Sequence, residues 1–440
     1  MIIRPVAAVA LSFALAAGAV GQPKPTVSPE EEKARDLFRA GKFDDALKEL
    51  EKAGKADAKL PPARVTLADY FYRANQGQAA RVQLEQAIAE NPRHPAAYLL
   101  NGSFAFGEGR LTDTALNCRT ALDLAADPRW DPDQRKKFVR DARLGLASVF
   151  ESRRDWAAAK ENLVAVLNED AKNTNLRTRV ASATFHLGFP EQALAEFQAA
   201  WKDDPSADLP ELRMAALWGA KDDLAKAEEW LKKGVSAHDR DARPARTYAG
   251  FLLDSGKADA AKPYLDAAVK LDPKARETIA LKGLFARYKK DFPAAEEAFE
   301  ALAKDYPNDP FAAWNLALVL IESADAGKKR RALDLAESEV RKNQRSAEGF
   351  AVLGWCLYKS GRVEEAEKAL AAASSPGTVS RDLAYFTARL LTDQGKFGEA
   401  KKLLKGAATA KGPFPYRADA EALLAEVEKK APPDKDEPKK

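Results

Sequence analysis

The sequence predicts an all-α protein, a solenoid of about eleven helix-turn-helix repeats finished by a capping helix. Three observations carry that expectation. GKFDDALKELEKA at 41–53 returns, little changed, as GKFGEAKKLLKGA at 395–407. Between them an alanine column recurs every 34 residues, and a second column of Ala or Gly keeps step with it. Alanine is plentiful, β-branched residues are sparse and long alternating apolar/polar runs are absent, which favours helix over strand.

Residues 1–21 stand apart. Arg4 is followed by VAAVALSFALAAGAV, an apolar run ending in small residues. This reads as a secretory signal peptide, shorter than the ~20 apolar residues that span a bilayer. Cleavage is expected after Ala19 or Gly21, and with no cysteine there a lipid anchor is not expected. The mature chain should therefore be soluble and periplasmic or secreted, with no transmembrane segment.

Composition excludes little else. Of 440 residues 46% are apolar, and 70 Lys/Arg against 66 Asp/Glu leave a net charge of +4. Such balance gives no sign of nucleic acid or of an acidic substrate. Only two cysteines occur, Cys118 and Cys356, and both read as small apolar packing residues.

The repeats follow in order along the chain. The alanine column runs Ala46, Ala80, Thr114, then Ala159, Ala193, Ala227, Ala261 and Ala295, then Ala332, Ala366 and Ala400. Its steps are 34, with one of 45 and one of 37. Upstream of each member, by 12 residues (15 before Ala332), stand Ala34, Ala68, Gly102, Ala147, Ala181, Ala215, Ala249, Gly283, Ala317, Gly354 and Ala388. Small residues on two consecutive helices mean that their backbones cross closely. Glycines such as Gly41, Gly109, Gly327 and Gly395 fall five before the alanine, where a left-handed turn ends the first helix. Leu or Phe falls four after it, and Pro92, Pro205, Pro273 and Pro307 fall twelve after it, where the second helix must stop. Two insertions are expected as longer loops, one between repeats near 126–137 and one inside a turn near 324–331. YRADAEALLAEVEKK at 416–430 reads as the capping helix, and the proline-rich, charged 431–440 as a disordered tail.

This pattern resembles the tetratricopeptide repeat (TPR) family, of exported type, over about residues 27–415. GFPEQALAEFQAAWKDDP at 188–205 and GKADAAKPYLDAAVKLDP at 256–273 are close to its second-helix consensus. The resemblance implies a right-handed α-α superhelical solenoid whose first helices line a concave wall. Counted in the family's inward positions, that wall includes Tyr72, Arg73, Phe106, Phe185, His186, Arg246, Arg287, Tyr288, Trp314, Trp355, Tyr358, Lys359, Tyr385 and Arg389. Aromatic and arginine side chains concentrate binding energy, though Phe106, Phe185, Trp314 and Trp355 equally suit packing between repeats. The carboxylate clamp of chaperone-binding members has no counterpart: pairs such as Val65/Asp69, Leu99/Ser103 and Tyr385/Arg389 replace its Lys and Asn.

No catalytic residue, cofactor or metal site is expected. His94, His186 and His238 fall in different repeats, and no H-E-x-x-H, C-x-x-C, G-x-S-x-G or P-loop run occurs. HDRD at 238–241 reads as a solvated loop and KKRR at 328–331 as a hydrated turn or a contact for an anionic partner. The function expected is a non-catalytic scaffold or adaptor in the periplasm or cell envelope, gripping partner segments in the groove. An accessory subunit of envelope polysaccharide or outer-membrane assembly machinery is the alternative, and an enzyme with an unrecognised site is disfavoured.

Overall fold

The computed structural model describes residues 28–374, 380–409 and 414–430; the expected signal peptide and charged tail lie outside them. Among the described residues every regular element is a helix. They fall into two compact units, up to Leu217 and from Trp218 onward.

The first unit pairs α1 (Pro29–Arg39) with α2 (Phe43–Ala56), α3 (Ala63–Arg73) with α4 (Gly77–Glu90), and α5 (Pro95–Gly107) with α6 (Leu111–Ala125). It continues with α7 (Pro132–Ser152) on α8 (Trp156–Leu167), and α9 (Thr174–His186) on α10 (Pro190–Asp203). Helix α11 (Pro210–Ala220) spans the boundary, and the second unit goes on with α12 (Leu224–Ala237). There α13 (Ala242–Asp254) pairs with α14 (Ala258–Leu271), α15 (Arg276–Tyr288) with α16 (Phe292–Asp305), and α17 (Pro310–Leu320) with α18 (Ala326–Lys342). Next come α19 (Ala347–Lys359) with α20 (Val363–Ser374), and α21 (Arg381–Asp393) with α22 (Phe397–Thr409). Last is α23 (Arg417–Lys430), packed on α22 through Ala420, Leu423 and Val427.

Both small-residue columns face inward. All eleven members of the alanine column, Thr114 included, are 0% exposed, and every member of the upstream column is buried. Thr114 fits the alanine place because its hydroxyl donates to the Arg110 carbonyl at 3.0 Å, so no buried donor is left unpaired. In the eighth and tenth repeats the Leu/Phe four residues after the alanine lies directly over the small residue of the first helix, and in the third Cys118 takes that place beside Gly102. A Cβ on Gly283 would come within 2.7 Å of the Phe299 ring, and one on Gly354 within 2.7 Å of Leu370.

Turns and caps obey the same register. Six glycines take left-handed φ after first helices, among them Gly41, Gly109 and Gly395. Where glycine is missing, Asn75, Arg154, Asp222 and Lys290 hold the same conformation at φ 56–62°. Such positions strain a side chain modestly, and the flanking helices over-determine them.

Both insertions differ from the loops expected of them. Asp131 caps α7 by accepting from the Gln134 N–H at 2.9 Å, Pro132 takes the first turn, and 132–137 become extra helix. Asp325 likewise caps α18 through Lys328 N–H at 2.8 Å, so KKRR is helical and Gly327 is no turn glycine. Lys328 pairs with Glu296 at 2.6 Å and Arg331 with Glu300, tying α18 to the preceding hairpin.

His94 caps α5, its Nδ1 accepting from the Ala96 N–H at 3.2 Å, with Trp130 and Phe138 set edgewise against the ring. Burial, aided by the Arg129 charge, lowers its pKa to about 4.

Two predictions follow from these contacts. Gly354→Ala pushes a methyl into Leu370 and should lower the denaturant midpoint, at a cost of about 1–3 kcal/mol; an unchanged midpoint would contradict the close crossing. The depressed folded pKa of His94 gives stability present above its unfolded value near 6.5 and lost as pH falls through about 4. Compared with His94→Asn, which keeps the cap and does not titrate, the wild type should lose on the order of 1–2 kcal/mol between pH 7 and 4, discounted for partial exposure. Thermal midpoints against pH read this directly.

Candidate functional site

In the second unit the first helices α15, α19 and α21 form a wall rich in aromatic and arginine side chains. A segment of the chain itself lies on it. Phe414, 1% exposed, donates its backbone N–H to the Tyr288 hydroxyl at 2.6 Å, though the two are 126 residues apart. The Phe414 ring meets Tyr385 edge-on at 6.4 Å. Tyr416 stacks on Tyr385 at 5.2 Å and 20°, with Phe386 and Trp355 set edgewise around it at 5.3 and 6.0 Å. The Arg287 guanidinium lies over the Tyr416 ring at 5.6 Å, a cation–π arrangement. At the rim Lys290 pairs with Asp419 at 2.8 Å.

The wall is electrostatically tight. Burial drives the Tyr288, Tyr385 and Tyr416 phenols far above their ordinary range, so all three stay protonated. It also raises the Asp382 carboxyl, which the charges of Arg287 and Arg381 oppose. Arg287 is 7% exposed; its Nη1 donates to Asn315 Oδ1 at 2.5 Å, while its Nη2 has no acceptor. Trp314 Nε1 is a second buried donor without one.

The remaining expected wall residues divide between packing and surface. Trp355, 3% exposed, stacks on Phe386 at 4.4 Å and donates to Glu322 at 3.2 Å. Lys359 pairs with the same carboxylate at 2.9 Å. Tyr358 donates to Asp393 and accepts from Arg389 Nε at 3.2 Å, both side chains half-buried. Arg246 donates to Thr278 at 3.3 Å, joining α13 to α15. Thus Arg287 and Tyr385, expected on the groove wall, and Trp355, for which wall and packing were equal expectations, are buried, with the chain's own segment and the next repeat on their faces.

In the first unit Tyr72 stacks on Phe104 at 4.1 Å with one edge exposed, and Arg73 pairs with Asp69 at 2.7 Å. Phe106 packs beside Cys118 and Val149, Phe185 is 1% exposed, and His186 stacks on Trp156 at 4.0 Å.

Phe414 and Tyr416 were not legible as site residues. They fall between the last repeat and the capping helix, where no column extends; the only signal is the compact F-P-Y-R run itself. Elsewhere the chemistry is structural. Asp241 caps α13 and pairs with Arg243 at 2.7 Å, so HDRD is a helix junction. Both cysteines are buried free thiols, and burial pushes Cys118 up to about 12. Among the described residues no group of three or more His, Cys, Asp or Glu is placed to hold a metal.

One tetratricopeptide-repeat profile matches residues 37–104, and a second matches 252–310 and 321–377. These segments of the chain are tetratricopeptide repeats. Among solved structures, this TPR chain is similar to a tetratricopeptide repeat protein from Parabacteroides merdae, at 13% identity and a TM-score of 0.38, covering 66% of this chain and 99% of that one. It is similar to yeast Tom70 at 16% identity and 0.35, covering 91% and 95%. The Cut9–Hcn1 assembly of the APC/C stands at 13% and 0.42, covering 91% and 97%. Likenesses at this level carry nothing about role. Among curated proteins none matches. TPR repeats serve as protein–protein interaction scaffolds, and no described helix is long and apolar enough to cross a membrane.

Truncating the wall should separate packing from surface. Trp355→Ala is expected to cost about 3–5 kcal/mol, as for a fully buried large aromatic. Tyr358→Ala, half-buried, should cost about 1 kcal/mol, the net worth of its hydrogen bonds. Equal shifts in denaturant midpoint would mean that Trp355 is not the inter-repeat wedge described.

Proposed function

We propose that this TPR protein is a non-catalytic scaffold, exported to the periplasm or cell envelope, that binds extended segments of partner proteins on the wall of its second unit. The observation that carries the reading is the seating of Phe414–Tyr416, held by a backbone hydrogen bond, a ring stack and a cation–π contact. The wall holds this turn at the start of α23 with preformed rings and a phenol, groups of the kind that grip a partner segment at low ordering cost. Export rests on the sequence of residues 1–21.

The enclosed space at His94, lined also by Lys59, Gln134 and Asp141, measures about 20 Å³, enough for roughly one water.

Fractionation of the source cells should place a chain shortened by about twenty residues outside the cytoplasm. In the same fraction, site-specific photocrosslinking from Tyr358 should trap a protein partner, and crosslinking from Leu116, 64% exposed on α6, should not. A full-length cytoplasmic chain would overturn the location; identical crosslinks from both positions would overturn the wall as the binding surface.

A further inference from the structure

We propose that residues 126–139 are a strap across the approach to α3 and the start of α5, that His94 is its buckle, and that acid unfastens the strap locally while the hairpins beneath it stay folded. The strap belongs to the first unit and does not rest on the scaffold reading.

These residues fall outside the repeat register. Both small-residue columns resume beyond them, at Ala147 and Ala159, each 0% exposed, so the α7–α8 hairpin closes without the strap. The strap is tied down from the loop before α5 instead. Trp130 and Phe138 set their edges against the His94 ring at 4.9 and 5.8 Å, and against each other at 5.2 Å. Arg129 lies over the Trp130 ring at 4.9 Å and donates to the Arg93 carbonyl at 2.9 Å. Arg93 pairs with Asp127 at 3.4 Å, and Lys59 with Asp131 at 3.3 Å. Beneath is the small space bounded by His94, Asp141 and the apolar Pro61, Leu99 and Phe138. Release of the strap uncovers that apolar surface.

His94 fits here only as a neutral ring. Its Nδ1 accepts from the Ala96 N–H at 3.2 Å, so the proton of the neutral form sits on Nε2. A second proton turns Nδ1 from acceptor into donor, and two N–H groups then face each other across the α5 cap. Burial disfavours the new charge, and Arg129 adds to that. Lys59 and Lys137 share the lining and offer it no counter-charge. The ring that Trp130 and Phe138 pack on is thereby driven from its place.

Two carboxyls titrate nearby, with opposite signs. Burial raises Asp141, against the pull of Arg140, so its protonation relieves a cost and tightens the joint in acid. Asp131 is held low by the Gln134 N–H and by Lys59. Its contribution is present above the ordinary carboxylate range and is lost as pH falls below it, mostly under about pH 4. Between pH 7 and 4 the imidazole therefore sets the direction.

Segment-resolved amide exchange on the full chain, corrected for the intrinsic effect of pH, reads strap opening directly. From pH 7 to 4 the opening constant of residues 126–139 should rise about tenfold, while that of α9 and α10 changes by less than about twofold. His94→Asn keeps a cap that does not titrate and should remove the rise. Asp141→Asn removes the opposing effect and should enlarge it. A rise of equal size in His94→Asn overturns the proposal, and so does a rise shared equally by α9 and α10. If His94→Asn is already loose at pH 7, the ring's own titration decides. The chain has three histidines, so their ring signals can be followed separately by NMR. A His94 midpoint near 4 that coincides with strap opening supports the proposal; a midpoint near 6.5, or opening at a different pH, overturns it.

Discussion

Everything in this fold depends on the near contact of two backbones at one point in every repeat. The small residue of the first helix and the alanine (or Thr114) of the second are both buried, and at Cys118, Phe299 and Leu370 the residue one turn onward lies over the gap. Small side chains contribute little buried area each. Their value is that they allow the larger neighbours to interdigitate at crystal-like density. The stability of the array is thus spread thinly over many repeats instead of being gathered in one core.

Charge and capping set where helices begin, and this changed the outcome at the two insertions. Asp131 and Asp325 each hold a helix start with a side-chain oxygen. The added residues therefore lengthen α7 and α18 inside the array. The basic run at 328–331 is then fixed by acidic partners on the preceding hairpin, so its charge is largely answered within the protein.

The repeat and its columns were fully legible in the sequence, because a period of 34 in two independent columns has few physical explanations. The turns were legible in position but not in identity: Asn75, Arg154, Asp222 and Lys290 take a conformation that glycine would have announced. The DP and DAGK starts of the insertions carried a capping signal that the expectation of loops passed over. The wall was legible only as a set of residue types. Inward positions can be counted from a register, but what covers them cannot, since Phe414 and Tyr416 reach it from 126 residues past Tyr288 and outside every column.

That long-range reach alters how the second unit comes apart. An open stack of hairpins touches only nearest neighbours, so its last members fray singly and fold back quickly. Here Phe414 on Tyr288 and Asp419 on Lys290 clasp the final helix to the α15–α16 hairpin, with three hairpins between them. Loosening any hairpin between them means opening the clasp as well, which welds α15 to α23 into one cooperative block with slower, less local folding. The terminus of the array behaves as a ring instead of a free end.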